Sequence, residues 1–278
     1  MNAIRMLNAV TRPTGTDKDA EEGDRQFATT LARGLDVLRC FTATEPILGN
    51  KEISQRTSLP KATVSRMTYT LTCLGYLRAL PWAGKYGKYE LGPAVLAIGY
   101  PLLANIGLRQ AAKSRMQELA EYAGGWVTMG VRERLNMVYV EAARAASGVK
   151  SMADIGQTFP IVMSAMGRAY LAGLTDGGRE ALINQIMVKT PEEWKRNAAR
   201  VEEGLADFRA RGFCLHHGAY NPHVHTVAVP MCRMRDEDIV VFNCVVPTQS
   251  IRRGRLEDDL GPRLVQMVRH IERTLEVP

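Results

Sequence analysis

The stretch Ser58-Leu59-Pro60-Lys61-Ala62-Thr63-Val64-Ser65-Arg66-Met67-Thr68-Tyr69-Thr70-Leu71-Thr72-Cys73-Leu74-Gly75 decides how the N-terminal third of the chain folds. Proline is favoured at the first position of a helix, where its missing N–H is not needed, so a helix is predicted to begin at Pro60. Gly75 suits the left-handed conformation that ends one. Between them Val64, Met67, Leu71 and Leu74 recur at three- and four-residue spacing and form the predicted inward stripe. Lys61, Ala62, Ser65, Arg66 and Tyr69 fall on the opposite face, which has no hydrophobic reason to be buried.

Working outward, Asn50 is expected to cap a short helix that runs to about Thr57 and buries Ile53, with Leu59 closing the turn after it. Upstream, from Thr30, the spacing of Leu31, Leu35, Leu38 and Phe41 predicts the buried face of a first helix. Downstream, residues 76–80 and 88–91 read as two short strands around a turn-rich tip that contains Trp82 and Lys85. Three helices followed by a hairpin make a winged helix-turn-helix, assigned to residues 27–91. Such a fold sets the N-terminal residues of its third helix against base edges in the major groove, where arginine can donate two bonds to guanine. Lys61, Ala62, Thr63, Ser65, Arg66 and Tyr69 are therefore candidate DNA-binding residues. Arg66 is read as the base reader, and Lys61 and Thr63 as phosphate contacts. Lys85 and Lys88 on the wing are further candidate phosphate contacts.

Charge supports this placement. Residues 27–91 carry a net charge of +5, against −1 for residues 1–26 and +3 for residues 92–278, so the basic excess gathers where the DNA-binding pattern lies. Residues 1–26 lack apolar periodicity and read as a flexible tail. A length of 278 residues favours two modest domains, and the apolar fraction of 46% argues against wholesale disorder. The chain has neither an apolar run approaching the ~20 residues of a membrane helix nor a signal-peptide pattern, so a cytoplasmic protein with no membrane partner is expected. Cys40, Cys73, Cys214, Cys232 and Cys244 are odd in number and scattered, which signals neither a disulfide framework nor a thiolate zinc site.

Residues 92–106 read as an apolar linker helix, packed and interrupted at Pro101. In residues 107–278, Leu108, Ala112, Met116, Leu119 and Ala123 form a helical stripe ending at Gly124-Gly125, and strands are predicted at 126–132 and 137–142. Thr190-Pro191-Glu192-Glu193 fits a capping box opening a helix through Trp194, Ala198, Val201, Leu205 and Phe208. Strands follow at 213–217, 224–232 and 239–246, then a last helix with Leu256, Leu260, Leu264, Met267, Ile271 and Leu275 inward. The order implies an α+β domain on one mainly antiparallel sheet.

Taken together, residues 27–276 resemble the IclR family of bacterial regulators. The resemblance rests on Ser58 to Arg66 with Leu71 and Leu74-Gly75-Tyr76-Leu77, and on Lys88-Tyr89-Glu90-Leu91-Gly92-Pro93. In the second half it rests on Gly156, Phe159-Pro160, Met166-Gly167-Arg168-Ala169-Tyr170-Leu171-Ala172, Arg211-Gly212-Phe213, Val227-Ala228-Val229-Pro230 and Pro247. It implies a GAF-like effector-binding domain with a pocket on one sheet face, a homodimer or tetramer, double-stranded operator DNA as partner and a small-molecule effector. Pro222-His223-Val224-His225 and Val246 depart from the family's pattern near that pocket, so effector identity does not carry over from a relative. Resemblance and strand alternation together nominate Thr128, Tyr139, Ser151, Met152, Ser164, Ala165, Met166, Asn243 and Val245 as effector-binding residues. Asn243 stands out because its amide, flanked by Phe242, Cys244, Val245 and Val246, needs hydrogen-bond partners that a ligand could supply.

His216, His217, His223 and His225 fall within ten residues and are the candidate ligands if a metal is held. No cysteine or carboxylate stands at an ordinary ligand spacing from them, so the reading is no metal and no cofactor. No nucleophile elbow or metal-hydrolase motif is present, and no catalytic residue is assigned. The alternative function is a metal- or thiol-dependent enzyme with an N-terminal nucleic-acid anchor. The preferred one is a regulator, not an enzyme, whose operator binding responds to a catabolic metabolite or small organic acid.

Overall fold

A computed structural model describes residues 27–82, 85–146, 154–218, 222–231 and 239–276. The predicted tail at 1–26 lies outside them, as do Ser151 and Met152; of Lys85 only the backbone is described. The chain divides into two compact units between Asn105 and Ile106.

In the first unit, α1 (Thr29–Arg39) meets the small core only through its C-terminal half, where Val37 is fully buried and Cys40 and Phe41 follow just past the helix end. Leu31 and Leu35 are 65% and 46% exposed, which corrects the predicted buried face. That core is completed by Leu48, Ile53, Val64 and Leu77. In α2 (Asn50–Thr57), Asn50 is the first helical residue and not the cap. Gly49 takes the cap position, and its N–H donates to Glu52 Oε2 at 3.0 Å. Ser58 then turns the chain with a left-handed φ of 57°, and Ser54 Oγ holds the turn by donating to the Leu59 carbonyl at 2.6 Å.

α3 (Lys61–Cys73) starts one residue after Pro60, which acts as its cap. Its buried residues are Val64 and Thr68, with Met67 and Leu71 half-buried; Leu74, assigned inward from spacing, is 60% exposed. Thr68 tolerates full burial because its hydroxyl donates back to the Val64 carbonyl at 3.0 Å. β2 (Leu77–Trp82) and β3 (Lys85–Leu91) form the antiparallel wing, and β1 (Leu48–Gly49), two residues long and not predicted, pairs with β3 from its other side. Gly92 leaves the wing so close to the Gly75 carbonyl that any Cβ there would collide with it. α4 (Ala94–Asn105) passes through Pro101 as one helix, with Asn105 Nδ2 donating to the Pro101 carbonyl at 2.7 Å. It was expected to be packed, yet none of its residues is buried.

The second unit is built on a six-stranded sheet, antiparallel throughout, in the order β6-β5-β4-β9-β8-β7. Its strands are β4 (Trp126–Glu133), β5 (Asn136–Arg144), β6 (Thr158–Pro160), β7 (Cys214–His217), β8 (Val224–Met231) and β9 (Val240–Pro247). α5 (Gly107–Ala123) packs on β4 and β5 through the predicted stripe plus Ala120, and α9 (Gly261–Glu276) packs on β8, β9 and α5. α6 (Ala165–Gly173) packs on β7, β8 and β9 from the other side. It is backed by α8 (Pro191–Arg211), against which α7 (Asp176–Lys189) lies. β6 and α7 were not predicted. The expected capping box at Thr190 does not form: Thr190 Oγ1 donates to the Ile186 carbonyl at 3.0 Å and so closes α7 instead of opening α8.

Candidate functional site

The first site is the outer face of α3. Val64 and Thr68 hold the helix to its unit, so Lys61, Ala62, Ser65, Arg66 and Tyr69 are turned to solvent, Tyr69 with 72% of its surface exposed; Thr63 is half-buried. Among the described residues neither Lys61 nor Arg66 has a carboxylate partner. Lys88, by contrast, is engaged: its Nζ lies 2.7 Å from Glu52 Oε1 and ties the wing to α2. That ammonium holds the Glu52 carboxyl below the usual carboxylate range. A phosphate contact by Lys88 must therefore compete with an internal pair.

The second site is a buried polar cluster on the α6 face of the sheet. Thr128 on β4, Asn243 on β9 and Tyr139 on β5 were nominated for one pocket, and the fold brings all three together. Thr128 Oγ1 donates to Asn243 Oδ1, and Asn243 Nδ2 donates to the Tyr139 hydroxyl at 3.4 Å. The amide thus has protein partners, not only a prospective ligand. Val245 is buried on the same face, and the Tyr139 ring lies 5.0 Å from that of Phe159. Ser164 caps α6, its Oγ accepting from the Gly167 N–H at 3.0 Å, while Ala165 and Met166 are buried in the first turn. Met166 fills the space above Gly130, where a Cβ would strike its sulfur. A separate groove of about 460 Å³ runs between α5 and α9, lined by Arg115, Leu119, Tyr122, Arg263, Met267 and His270. Its arginines are already paired, Arg115 with Glu118 at 3.0 Å and Arg263 with Asp259 at 2.6 Å.

The four histidines do not converge. His216 is buried, and its Nδ1 accepts from Arg168 Nη2 at 3.1 Å, while Arg168 Nη1 donates to the Leu215 carbonyl at 3.3 Å. Burial, and then the adjacent Arg168 charge, push the His216 pKa from 6.5 down to about 4. His217 faces His225 across β7 and β8, ring centroids 5.4 Å apart, and its Nε2 lies 3.4 Å from Glu257 Oε1. His223 is exposed. Among the described residues no group of three or more His, Cys, Asp or Glu side chains is placed to hold a metal ion. Cys214 is fully buried, and burial pushes its thiol up to about 12, far from a reactive thiolate. Sequence reasoning missed the Arg168–His216 pair. Its members stand 48 residues apart on different elements, and no local pattern joins them.

The description of the IclR helix-turn-helix domain matches residues 30–81, and that of the bacterial transcriptional regulator IclR C-terminal domain matches residues 100–273. The HTH-type transcriptional regulator TsaQ1/TsaQ2 of Comamonas testosteroni is 32% identical over 259 residues, 92% of each chain. A crystal structure of an IclR family transcriptional regulator from Brucella abortus superposes with a TM-score of 0.82 at 42% identity, covering 95% of this chain and 98% of that one. An IclR homologue from Microbacterium hydrocarbonoxydans, complexed with 4-hydroxybenzoate, shares the fold with a TM-score of 0.65 at 22% identity, over 90% of this chain and 100% of that one. These relatives are named as regulators or family homologues, not as enzymes. Among the described residues no helix is long and apolar enough to cross a membrane.

Proposed function

This chain belongs to the IclR family of bacterial transcriptional regulators, and from that premise we propose that a small organic acid bound on the α6 face of the sheet changes its affinity for a double-stranded operator in the cytoplasm. Residues 27–91 are the DNA-binding domain in this reading, 92–106 the linker and 107–278 the effector-binding domain. The observation that carries it is the outer face of α3: a basic, aromatic surface whose Lys61 and Arg66 have no carboxylate partner among the described residues, presented by a helix held to its unit through Val64 and Thr68. Arg66 reads a base edge, and Lys61, Thr63 and Lys85 contact phosphates. The buried cluster of Thr128, Tyr139 and Asn243 supports the effector reading, because a few convergent polar groups on an apolar face are what orient a small ligand. The relative complexed with 4-hydroxybenzoate makes that acid a suitable first probe.

Support for an oligomer comes from α4. Its twelve residues contain no Asp, Glu, Lys or Arg, and Leu96, Ile98, Tyr100 and Leu102 are 49–73% exposed, so its cover is an uncharged apolar surface. An isolated helix of that length is marginal in water, and a second copy of α4 supplies matching chemistry and the two-fold pairing that half-site recognition uses. Sedimentation is expected to show a dimer or tetramer that Ile98→Asp dissociates; an unchanged assembly would remove α4 from the interface. The functional reading is tested by a mobility-shift assay with the gene's own upstream region, which should show sequence-specific, salt-sensitive binding. Indifference to sequence would contradict it.

A further inference from the structure

Along β4 the positions Thr128, Gly130 and Arg132 share one face, the face on which α6 packs. Thr128 belongs to the buried polar cluster, and Gly130 leaves a gap that Met166 fills. Beyond it, the Arg132 guanidinium stands 5.7 Å from the ring centroid of Tyr170, one turn along α6 from Met166. Tyr170 is buried, and burial raises its hydroxyl pKa, so this end of the face is poorly solvated.

The neighbouring arginines of the same unit are matched. Arg109 pairs with Glu141 at 2.9 Å, Arg144 with Asp154 at 2.6 Å, and Arg168 with a carbonyl and a neutral histidine. Half-buried Arg132 has, among the described residues, neither a carboxylate nor a hydrogen-bond acceptor for its guanidinium, which faces the Tyr170 ring. A partly desolvated guanidinium without a counter-ion gains most from a planar anion that can take two of its N–H donors. Four strand rises separate Thr128 from Arg132, roughly 13 Å, and the long arginine side chain can shorten that span to the length of a small ligand. The side chain that lies over Gly130 is a methionine, whose three rotatable bonds let it repack.

We propose that Arg132 reads the anionic group of the effector: with Met166 turned away from Gly130, an organic carboxylate lies along the sheet face with its charge at Arg132 and its far end at Thr128, Asn243 and Tyr139. This rests on the sheet-face effector site proposed above and adds to it the residue that selects acids over neutral analogues. Calorimetric titration of the full chain with 4-hydroxybenzoate and with neutral 4-hydroxybenzamide tests it. The parent should bind the acid at least about tenfold more tightly than the amide. Arg132→Gln should bring the two affinities together without lowering the melting temperature. Arg132→Lys should keep part of the preference, and Asn243→Leu should weaken both ligands alike. A parent that does not prefer the acid, or a preference that survives Arg132→Gln, overturns the assignment. If Asn243→Leu still weakens binding in that second case, only the Arg132 assignment falls; if it too has no effect, the sheet-face site falls with it.

Discussion

Two helices of similar apolar character meet opposite fates in this chain. Seven of the nine residues of α6 are buried, including the arginine, whereas none of the twelve in α4 is. The difference is one of partners and not of composition. α6 lies between a sheet and α8, and even Arg168 finds acceptors at Leu215 and His216. α4 follows the wing with Ala94, Val95 and Leu103 only partly covered and Leu96, Ile98, Tyr100 and Leu102 largely exposed. Each large aliphatic side chain so exposed forgoes roughly 1.5–3 kcal/mol of burial, which is the stabilisation that the proposed pairing with a second copy would recover.

The sharpest way to break this comparison is to truncate one leucine in each helix. Leu171→Ala in α6, fully buried, should cost about 2–5 kcal/mol in urea unfolding at any protein concentration. Leu96→Ala in α4, 73% exposed, should cost under about 0.5 kcal/mol in dilute protein and should act instead on the assembly constant. Equal, concentration-independent losses would mean that α4 is covered within its own chain.

The buried pair beneath α6 gives the next largest effect, and its sign is fixed by which state takes up the proton first. In the unfolded chain His216 protonates near 6.5, and in the fold only near 4. The unfolded state therefore gains a proton first as pH falls through 6.5, and stability drops progressively towards pH 4, by about 3 kcal/mol in full. Above about pH 7 both states are neutral and the pair adds no slope. His216→Gln, which keeps an acceptor for Arg168 but does not titrate, should flatten unfolding free energies measured between pH 7 and 4.5. An unaltered slope would show that the pH dependence arises elsewhere.

The smallest effect is at the polar cluster. Asn243→Leu leaves the Thr128 and Tyr139 hydroxyls without their amide partner and should cost about 1–3 kcal/mol. Because Thr128→Val removes one of those stranded groups, the double variant should be less unstable than the two losses summed, by about 1 kcal/mol. Strict additivity would mean the two side chains are not coupled.

The sequence made α3 and its outer face legible, because Pro60, Gly75 and the three- and four-residue spacing are local signals of a single helix. It misjudged Leu31, Leu35 and Leu74 for a physical reason: periodicity says which residues share a face, but not how much of that face its own chain covers. Thr68 carries no inward signal in the sequence, because the bond to the Val64 carbonyl that lets it be buried leaves no mark on hydropathy. β1 and β6, of two and three residues, are too short to alternate, and Thr190 satisfies the pattern of a cap while serving the preceding helix. At the second site, alternation placed Thr128, Tyr139 and Asn243 on strands without giving the register that joins them. That register depends on pairings across more than a hundred residues.

The central claim, that the outer face of α3 reads DNA, is tested most directly by fluorescence anisotropy of the full chain on its own upstream DNA and on a scrambled duplex, with Arg66→Ala beside the parent. The account predicts a loss of about 1–3 kcal/mol on the specific duplex, little change on the scrambled one, and so a collapse of the ratio between them. Parent-like affinity and parent-like discrimination in Arg66→Ala would contradict it.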